Sequence, residues 1–367
     1  MLLNQITTSN FRNLAENQIC FSERTNVIIG ENGQGKTNLL ESIYYLARRR
    51  SFRTRFDREL IAHEQGIAQL DAVIYTEDRE QTIAFTLRRA SRNTIALNGV
   101  KQNRTADLDG KLMVVLFCPD DLSLVRAGAA HRRRLMDNAL SQLRPKYAVW
   151  LAEFAKLYEH KTRILRDWHE KPSLLTALDD FNQRIAQVGA HLIHYRAAFV
   201  RKLEEHSAAI HNECSGGREE LVLTYQTVRT VADTTAAPAV ILGQLLQHQA
   251  AHRQAELDAG LCLSGAHKDD IVITIDGDSA RLFASQGQTR TAALAIKLAE
   301  RDMFYDDRNA HPLLLLDDVL SELDRARQDF VLNHIKAGQI FITCCEDKKI
   351  AKRTGGEIYT MKQGRVE

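Results

Sequence analysis

The chain has 367 residues, 44% of them hydrophobic and 26% charged, which is ordinary for a folded protein and long enough for about two domains. Its net charge of +2 conceals basic clusters, so it neither establishes nor excludes a nucleic-acid partner. No apolar run approaches the about 20 residues of a membrane span, and no export signal follows Met1. The six cysteines lack metal-ligand spacing, which favours a reduced, cytoplasmic protein.

Short β-prone runs dominate residues 1–122, and turn residues separate several of them. These runs predict a largely β region. The predicted strands are Leu2–Asn10, Gln18–Phe21, Asn26–Ile29, Leu70–Tyr75, Gln81–Leu87, Asn93–Leu97 and Leu112–Phe117.

A glycine-rich loop follows the third of these strands and precedes a helical pattern over Asn38–Ala47. Strand, loop and helix in this order predict a P-loop, in which backbone N–H groups and the helix dipole hold phosphate oxygens. In such a loop the lysine reaches the outer phosphates and the following hydroxyl holds Mg²⁺. The predicted nucleotide-binding residues are Gly30, Glu31, Asn32, Gly33, Gln34, Gly35, Lys36 and Thr37, with Thr37 as a metal ligand.

The middle of the chain is helical from about Gly128 to His211, with breaks at Pro145 and Pro172. On both sides of Pro172, apolar residues recur at alternating spacings of three and four, which predicts an antiparallel helical hairpin over 146–212. Further on, a strand is predicted at Leu221–Tyr225 and a helix at Pro238–Ala259. The seam residues are Tyr147, Leu151, Phe154, Tyr158, Lys161, Leu165 and Trp168 before Pro172, and Leu174, Leu178, Phe181, Ile185, Val188, Leu192, Tyr195 and Phe199 after it.

The last third alternates strands and helices again. An apolar strand there ends in Asp317-Asp318. In a P-loop fold such a strand delivers an acid to the magnesium ion, so we predict Asp317 as a metal ligand and Asp318 as the general base. Strand-end acids alone also cap helices, and the upstream P-loop favours the catalytic interpretation. The predicted elements are strands Ile271–Ile275, Leu313–Leu316 and Gln339–Thr343, and helices Thr289–Phe304 and Leu323–Lys336.

The segment Ser285-Gln286-Gly287-Gln288 lies at the start of the alanine-rich helix and is called the signature loop below. A serine and a glycine at a helix N-terminus can bind an anion, although Ser285 or Thr289 could simply cap the helix. Because one P-loop already serves one nucleotide, a second anion site makes most sense for a nucleotide held by another subunit. Ser321–Asp324 either caps the next helix or crosses a dimer interface.

Two arginine-rich clusters could contact a phosphate backbone without reading bases. A solvated surface, or ion pairs with acids of the fold, is the alternative. The candidates are Arg48, Arg49, Arg50, Arg53 and Arg55 in the first cluster, Arg132, Arg133 and Arg134 in the second, and Lys161, Arg163 and Arg166 on the hairpin.

A P-loop, a helical hairpin, a signature loop and an acid pair, in that order, resemble the heads of ATP-binding-cassette ATPases. Further motifs resemble the RecF family of bacterial recombination mediators from the first strand to the last. Ala266 replaces the proline that this family often has, and Cys344-Cys345 replaces the sensor histidine of cassette ATPases. The motifs are Asn10–Asn13, Gly30–Thr37, Arg50–Thr54, Phe117–Leu122, Arg133-Arg134, Gly265–Asp270, Ser285–Gln288 and Asp317–Asp324.

The resemblance implies a fold and a division of the chain. The fold class is α/β, a P-loop ATPase head of the cassette type with a mixed or parallel sheet, an antiparallel β subdomain and an inserted helical hairpin lobe. Residues 1–122 and 262–367 would form the head, and 123–261 the mostly helical arm domain.

The resemblance also implies roles for residues outside the P-loop. Arg12 would lie near the nucleotide, and Asp120 is a candidate for the glutamine-loop ligand. Ser285, Gly287 and Gln288 would cap the γ-phosphate of ATP bound to the partner protomer, with Asp324 on the loop between protomers. The catalytic set would be Lys36, Asp318 and Ser285. Because Asp318 is one methylene shorter than the usual glutamate, we expect slow hydrolysis.

The implied function is an ATP-switched DNA clamp with ATP and Mg²⁺ as cofactors. Two copies would close on duplex DNA or duplex–single-strand junctions, with RecR, RecO and RecA as partners, in recombination, replication restart and SOS induction. The alternative is the ATPase subunit of a membrane transporter, which shares the loop, the signature and the acid pair. The heptad hairpin and the arginine clusters argue against the transporter.

Overall fold

The computed structural model describes residues 1–76, 79–102, 108, 110–345 and 348–367. By compactness the chain divides into a first unit, Met1–Leu122 with Glu300–Glu367, and a second unit, Ser123–Ala299. The helices are α1 (Lys36–Arg48), α2 (Ala129–Leu143), α3 (Pro145–Asp167), α4 (Leu178–Ser215), α5 (Pro238–Ala259), α6 (Ala280–Phe283), α7 (Gln286–Arg308), α8 (Arg325–His334) and α9 (Lys348–Thr354).

The strands are β1 (Leu2–Ser9), β2 (Asn17–Cys20), β3 (Thr25–Ile29), β4 (Ile67–Thr76), β5 (Arg79–Arg88), β6 (Thr94–Leu97), β7 (Val100–Gln102), β8 (Val114–Phe117), β9 (Leu221–Gln226), β10 (Asp270–Ile275), β11 (Asp278–Ser279), β12 (Leu313–Asp317), β13 (Ile340–Cys344), β14 (Glu357–Lys362) and β15 (Arg365–Val366).

A mostly parallel sheet in the first unit carries the P-loop strand at its centre. Its order is β15-β14-β3-β13-β12-β8, and only β15 joins it antiparallel among the described strands. Every residue of β3, β12 and β13 is buried, as expected of central parallel strands covered on both faces. The sequence prediction missed β14, whose only moderately apolar residues alternate between buried and exposed.

An antiparallel sheet of order β2-β1-β4-β5-β6-β7 forms the rest of the first unit's β structure. Strand β4 alternates exposed and buried residues along its length, so one face meets the core and the other meets solvent. A single hydrophobic cluster joins this sheet, α1 and the parallel sheet through residues such as Phe11, Ile28, Tyr45, Phe85 and Phe341.

Helices α3 and α4 of the second unit lie antiparallel to each other. Residue numbers rise along α3 while those of their partners fall along α4. The rings of Trp150 and His191 stack at 4.2 Å, and Arg184 bonds Glu153 at 3.0 Å. The second helix of the predicted hairpin, α4, begins only at Leu178, because Pro172–Ala177 forms a 3₁₀ turn.

The heptad interpretation of this hairpin is too narrow. Helix α4 buries residues on more than one stripe and also packs against α5 and β9, so the hairpin is part of a helical lobe. Lys161, a seam position, is fully buried and its Nζ lies 2.7 Å from Glu256 Oε2 of α5. Lys161 is therefore removed from the DNA-contact candidates.

The boundary at 262 predicted from the sequence differs from the compact units. Residues 262–299 fall in the second unit, because β10 pairs antiparallel with β9, register Ile271 to Tyr225, in a sheet of order β11-β10-β9. Assignment of 262–299 to a functional head stays a prediction. None of the helices in the described ranges is both long and apolar enough to cross a membrane.

Candidate functional site

The predicted P-loop connects β3 to α1 in the first unit, and two of its glycines are required by the backbone. Gly30 has φ +157°, and a Cβ there would lie 2.4 Å from the carbonyl oxygen of Met361. Gly35 caps α1 in the left-handed region with φ +112°. Glycine tolerates both conformations at no steric cost, whereas other residues would strain the loop. These constraints explain the glycine spacing read from the sequence.

The side chain of Lys36 is buried and folds back over the loop. Its Nζ donates to the carbonyl oxygens of Gly30 at 2.6 Å and Glu31 at 3.0 Å, and lies 3.9 Å from Cys345 Sγ. Each of these partners is neutral. Among the described residues, the ammonium group therefore has hydrogen bonds to backbone carbonyls and none to a carboxylate, and a phosphate oxygen could take the place of the carbonyls.

Beneath the loop, three elements bring hydroxyl groups and a carboxylate together. Asp317 at the end of β12 accepts hydrogen bonds on Oδ1 from Thr37 Oγ1 of α1 at 2.9 Å and from Thr343 Oγ1 of β13 at 3.0 Å. Burial raises the pKa of Asp317, and these two hydrogen bonds oppose the rise. The sequence analysis missed Thr343, although parallel strands end at one edge and β13 was predicted.

The pair Thr37 and Asp317 fits a magnesium ion. A hydroxyl and a carboxylate are hard oxygen ligands, and Mg²⁺ in nucleotide sites takes one or two protein ligands and completes its shell with water and phosphate. The part of the chain that the structure describes contains no group of three or more His, Cys, Asp or Glu side chains placed to hold a metal.

Asp318, the predicted general base, has a free acceptor. Its backbone is left-handed, with φ 55°, and its N–H donates to Thr343 Oγ1 at 2.9 Å. Its Oδ1 is buried and has no hydrogen-bond partner among the described residues. A buried carboxylate oxygen without a donor is costly, and a bound water molecule would remove that cost. The geometry thus suits a group that accepts a proton from water.

Arg12 is fixed against α1. Its Nε and Nη2 each lie 2.9 Å from an oxygen of the fully buried Glu41, and its Nη1 donates to the carbonyl of Glu59 at 2.8 Å. This bidentate pair holds the guanidinium in one place. Neither Glu41 nor its pairing with Arg12 belongs to a sequence motif, so the pair could not be predicted from the sequence.

A cavity of about 460 Å³ lies beside Arg12 and next to the P-loop. It adjoins the loop because Asn13 Nδ2 donates to the carbonyl of Gly33 at 3.0 Å. Arg53 enters the lining and donates from Nη1 to Asn38 Oδ1 at 2.7 Å. The volume suits a nucleoside. The lining residues are Arg12, Asn13, Asn38, Arg53, Arg58, Glu59, Ile61, Ala62, His63 and Arg89.

The C-terminal segment braces the P-loop from the other side. The N–H groups of Gln363 and Gly364 donate to Gln34 Oε1 at 2.6 Å and to its carbonyl at 2.9 Å. Asn32 Oδ1 accepts from Cys345 Sγ at 3.1 Å, and Glu31 is exposed. Cys345 thus lies at the edge of the P-loop. It is one of the two cysteines at the sequence position where cassette ATPases have a sensor histidine.

In the second unit, Ser285 is exposed and forms a reciprocal cap with Gln288. The N–H of Ser285 donates to Gln288 Oε1 at 2.8 Å, and the N–H of Gln288 donates to Ser285 Oγ at 3.2 Å. Gly287 lies in the first turn of α7. The capping alternative is therefore present, and it leaves the serine at the surface, where a partner could reach it.

Asp324 in the first unit also caps a helix. Its Oδ1 accepts from the N–H of Arg327 at 3.0 Å at the start of α8, and this hydrogen bond lowers the pKa of Asp324. Its side chain is half exposed. Asp120 is exposed in a 3₁₀ turn after β8. Roles for both at a nucleotide stay predictions.

The structure removes two predicted DNA-binding arginines from the surface. Arg48 is 9% exposed, and burial lowers its pKa to about 10. Arg132 is 3% exposed, with Nε and Nη2 bonded to Asp270 at 2.7 and 2.9 Å and Nη1 to the carbonyl of Ala127 at 2.6 Å. Because its guanidinium nitrogens form hydrogen bonds inside the fold, Arg132 cannot bind DNA phosphates.

The other cluster members differ in exposure. Arg133 is half-buried and donates from Nη1 to the carbonyl of Asp269 at 2.6 Å. Arg49 is half-buried too. The exposed members are Arg50, Arg53, Arg55 and Arg134.

Comparison with known proteins decides the family. Residues 2–366 match the family described as the RecF/RecN/SMC N-terminal domain. A DNA replication and repair protein RecF of Enterococcus faecalis is 35% identical over 371 residues, covering 100% of this chain and 99% of the relative. The RecF of Listeria innocua is 36% identical over 357 residues, covering 96% and 95%.

The chain belongs to the RecF family. A solved structure described as the recombination mediator protein RecF-ATP in the RecFOR pathway covers 100% of this chain and 96% of its own, at 30% identity and a TM-score of 0.90. An Smc head bound to the C-terminal winged-helix domain of ScpA matches at 16% identity and a TM-score of 0.58, which shows a shared fold. The predicted fold class, a P-loop ATPase head with an inserted helical hairpin, is confirmed.

Proposed function

We propose that this RecF-family chain is an ATP-switched, DNA-binding mediator of recombination and repair. ATP would join two copies that clamp duplex or gapped DNA, and slow hydrolysis would release it. The observation that carries the proposal is the contact between Thr37 Oγ1 and Asp317 Oδ1 at 2.9 Å, formed by the residue that follows the buried Lys36. Relatives named for DNA replication and repair, and one solved as RecF-ATP, support it.

Nucleotide binding would use three groups of the first unit. Backbone N–H groups of the P-loop would hold the phosphates, and Lys36 would exchange its bonds with Gly30 and Glu31 for phosphate oxygens. The cavity beside Arg12 would take the base and ribose. Held by Thr37 and Asp317, Mg²⁺ would neutralise charge on the phosphates.

Hydrolysis would need a base, and Asp318 is placed for it. Its Oδ1 would accept a proton from the water that attacks the γ-phosphorus, while the bond to the bridging oxygen of ADP breaks. Thr343 holds both acids, accepting from the Asp318 N–H and donating to Asp317. An aspartate reaches less far than a glutamate. The proposed rate is therefore below the about 10 per second typical of enzymes.

Assembly and DNA contact would use exposed groups. Ser285 would complete the triphosphate site of a partner protomer, with Gly287 and Gln288 beside it and Asp324 on the facing loop. Exposed arginines such as Arg55 would bind the DNA backbone. RecR, RecO and RecA are the proposed partners, since a relative is described within the RecFOR pathway. Loading of RecA at gaps, replication restart and SOS induction belong to the same proposal.

Sedimentation with and without ATP, and again with gapped duplex, tests the proposal. Wild type should dimerise with MgATP, whereas Lys36→Met should stay monomeric. The Lys36→Met variant loses its charge-assisted bonds to phosphate, so its ATP affinity should fall by about 100-fold. Lys101→Met removes an exposed lysine of the same unit and should behave as wild type. ATP-dependent dimers of the Lys36 variant, or a wild type that stays monomeric on gapped duplex, would refute the model.

DNA binding separates the mediator from the transporter alternative. Family membership already argues against a transporter subunit. Retention of gapped duplex at moderate salt, dependent on ATP, is the expected result. Dimerisation with ATP but no DNA retention would leave an ATPase without the clamp function.

A further inference from the structure

The residue before the signature loop is bonded to an arginine far away in the sequence. Arg126, in the turn before α2, donates from Nη2 to the carbonyl oxygen of Ala284 at 2.7 Å. Ala284 is buried and immediately precedes Ser285. The contact therefore fixes the backbone at the point where the chain leaves α6 and enters the exposed capping loop. A charged donor makes such a bond stronger than a neutral one.

The turn that carries Arg126 is itself anchored by the second basic cluster. Arg132 donates from Nη1 to the carbonyls of Leu124 at 3.0 Å and Ala127 at 2.6 Å, one on each side of Arg126. On its other edge Arg132 forms the bidentate pair with Asp270, and it is 3% exposed. A buried guanidinium with all its edges bonded cannot shift without leaving a charge unpaired. Because Arg132 holds the carbonyls on both sides of Arg126, it also fixes the backbone position of Arg126.

The same pair fixes the start of the strand that leads to the signature loop. Asp270 opens β10, and its Oδ1 also accepts from the N–H of Ile271 at 2.8 Å. The neighbouring Arg133 donates to the carbonyl of Asp269 at 2.6 Å. From β10 the chain passes through β11 and α6 to Ser285. Helix α2 therefore holds this segment near its beginning, and the turn before α2 holds it near its end through Arg126.

We propose that Arg126 is a positioning residue for the signature serine, supported by the buried pair Arg132–Asp270. Ser285 is exposed, and a loop that must first be ordered loses part of its binding free energy to that ordering. Arg126 holds the loop ready before a partner's triphosphate arrives. The inference deepens the proposed function, because it rests on Ser285 completing the partner's nucleotide site.

Three variants test the role. Arg126→Met removes the donor, Arg126→Lys keeps a cationic donor, and Arg201→Met removes an exposed arginine of α4 as the matched control. Amide hydrogen exchange without nucleotide is measured first. Exchange over residues 284–289 should quicken about fivefold in Arg126→Met, as expected for one lost hydrogen bond, and return towards wild type in Arg126→Lys. The control and the rest of the second unit should not change.

ATP-dependent dimerisation is the second measurement. Arg126→Met should bind ATP as wild type does but dimerise at least about fivefold more weakly, with recovery in Arg126→Lys. Unchanged exchange over 284–289 in Arg126→Met, or an equal loss of protection across the unit, overturns the positioning role. A wild type that never dimerises refutes the proposed function instead, and the exchange data still decide whether Arg126 orders the loop.

Discussion

Buried polar side chains serve different ends in the two units. In the first unit, Lys36 bonds backbone carbonyls, Asp317 bonds two hydroxyls, and Asp318 Oδ1 has no partner among the described residues. In the second unit three buried charged side chains meet opposite charges, as Glu41 of the first unit does with Arg12 away from the acid pair. The second-unit pairs are Arg132 with Asp270, Arg196 with Asp269, and Lys161 with Glu256.

This difference shows how to separate binding residues from structural ones. A buried charge whose hydrogen-bond partners are neutral gains most from a charged ligand, so Lys36 and Asp317 are suited to phosphate and metal. A buried pair that is already neutralised holds elements together. Arg132 resembled a DNA contact in the sequence and proved to be one half of such a pair.

The largest expected effect comes from breaking a second-unit pair. Arg196 is 3% exposed and its Nη1 lies 2.6 Å from Asp269, which is fully buried. Arg196→Met should lower the free energy of unfolding by about 3–5 kcal/mol, because it leaves an unpaired carboxylate inside. Urea denaturation at pH 7 measures this. By contrast, Lys36→Met should cost little stability although it should lower ATP affinity by about 100-fold.

A surface pair supplies the control for that measurement. Arg184→Met breaks the exposed contact with Glu153 and should change stability by at most about 1 kcal/mol. Burial raises the pKa of Asp269, and Arg196 opposes that rise, so the Arg196 deficit should shrink as the pH falls and Asp269 takes up a proton. Equal losses for both arginine variants would contradict the structural role.

The second prediction concerns pH. Burial lowers the pKa of His267 to about 4, and its Nε2 lies 2.9 Å from the carbonyl of Cys262. Because the unfolded histidine titrates near 6.5, the folded state binds fewer protons between these values and loses up to about 3 kcal/mol as the pH falls from about 6.5 to 4. His267→Gln should flatten this part of the stability profile. An unchanged slope in the variant would show that other groups cause it.

Thiol reactivity distinguishes the two units with a smaller effect. Cys345 is exposed beside Lys36, whereas Cys262 is buried with its pKa raised to about 11 by burial. A maleimide should label Cys345 and exposed Cys20 and leave Cys262 unmodified. MgATP should slow labelling of Cys345 at least about tenfold by covering it, with Cys20 as the internal control. Equal rates with and without MgATP would remove Cys345 from the nucleotide site.

The smallest expected effect lies in the first basic cluster. Arg55 is exposed and suits this test. Arg53 lines the cavity beside Arg12, so a substitution there could change ATP binding as well as DNA binding. Arg55→Gln should weaken duplex binding a few-fold and lower the slope of log affinity against log salt by about 1, the value for one lost phosphate contact. Arg201→Gln, an exposed arginine of α4, is the matched control. A salt slope equal to that of wild type would place Arg55 outside the DNA path.

The sequence predicted what is local and missed what depends on distant pairing. The P-loop and the acid pair are contiguous motifs with known neighbours, so Lys36, Thr37 and Asp317 could be found. The hydrogen bond from Thr343 to Asp317 depends on the register of β12 and β13. The ion pair of Arg12 with Glu41 depends on a turn that packs against α1. Charge density alone could not show that Arg132 is buried and Arg55 exposed, because the carboxylate that pairs with Arg132 is Asp270, far away in the sequence.

Strand β3, which carries the P-loop, has a further consequence for how the protein is made. Both of its neighbours come from the far end of the chain, since Thr25 aligns with Ile340 and Asn26 with Glu357. During synthesis this strand leaves the ribosome long before either partner exists, and such distant pairing folds slowly. In a nascent chain we therefore expect this apolar segment to stay unpaired until its neighbours have been made. We expect the strand that carries the P-loop to gain both neighbours only late in translation, after β13 and β14 have been made.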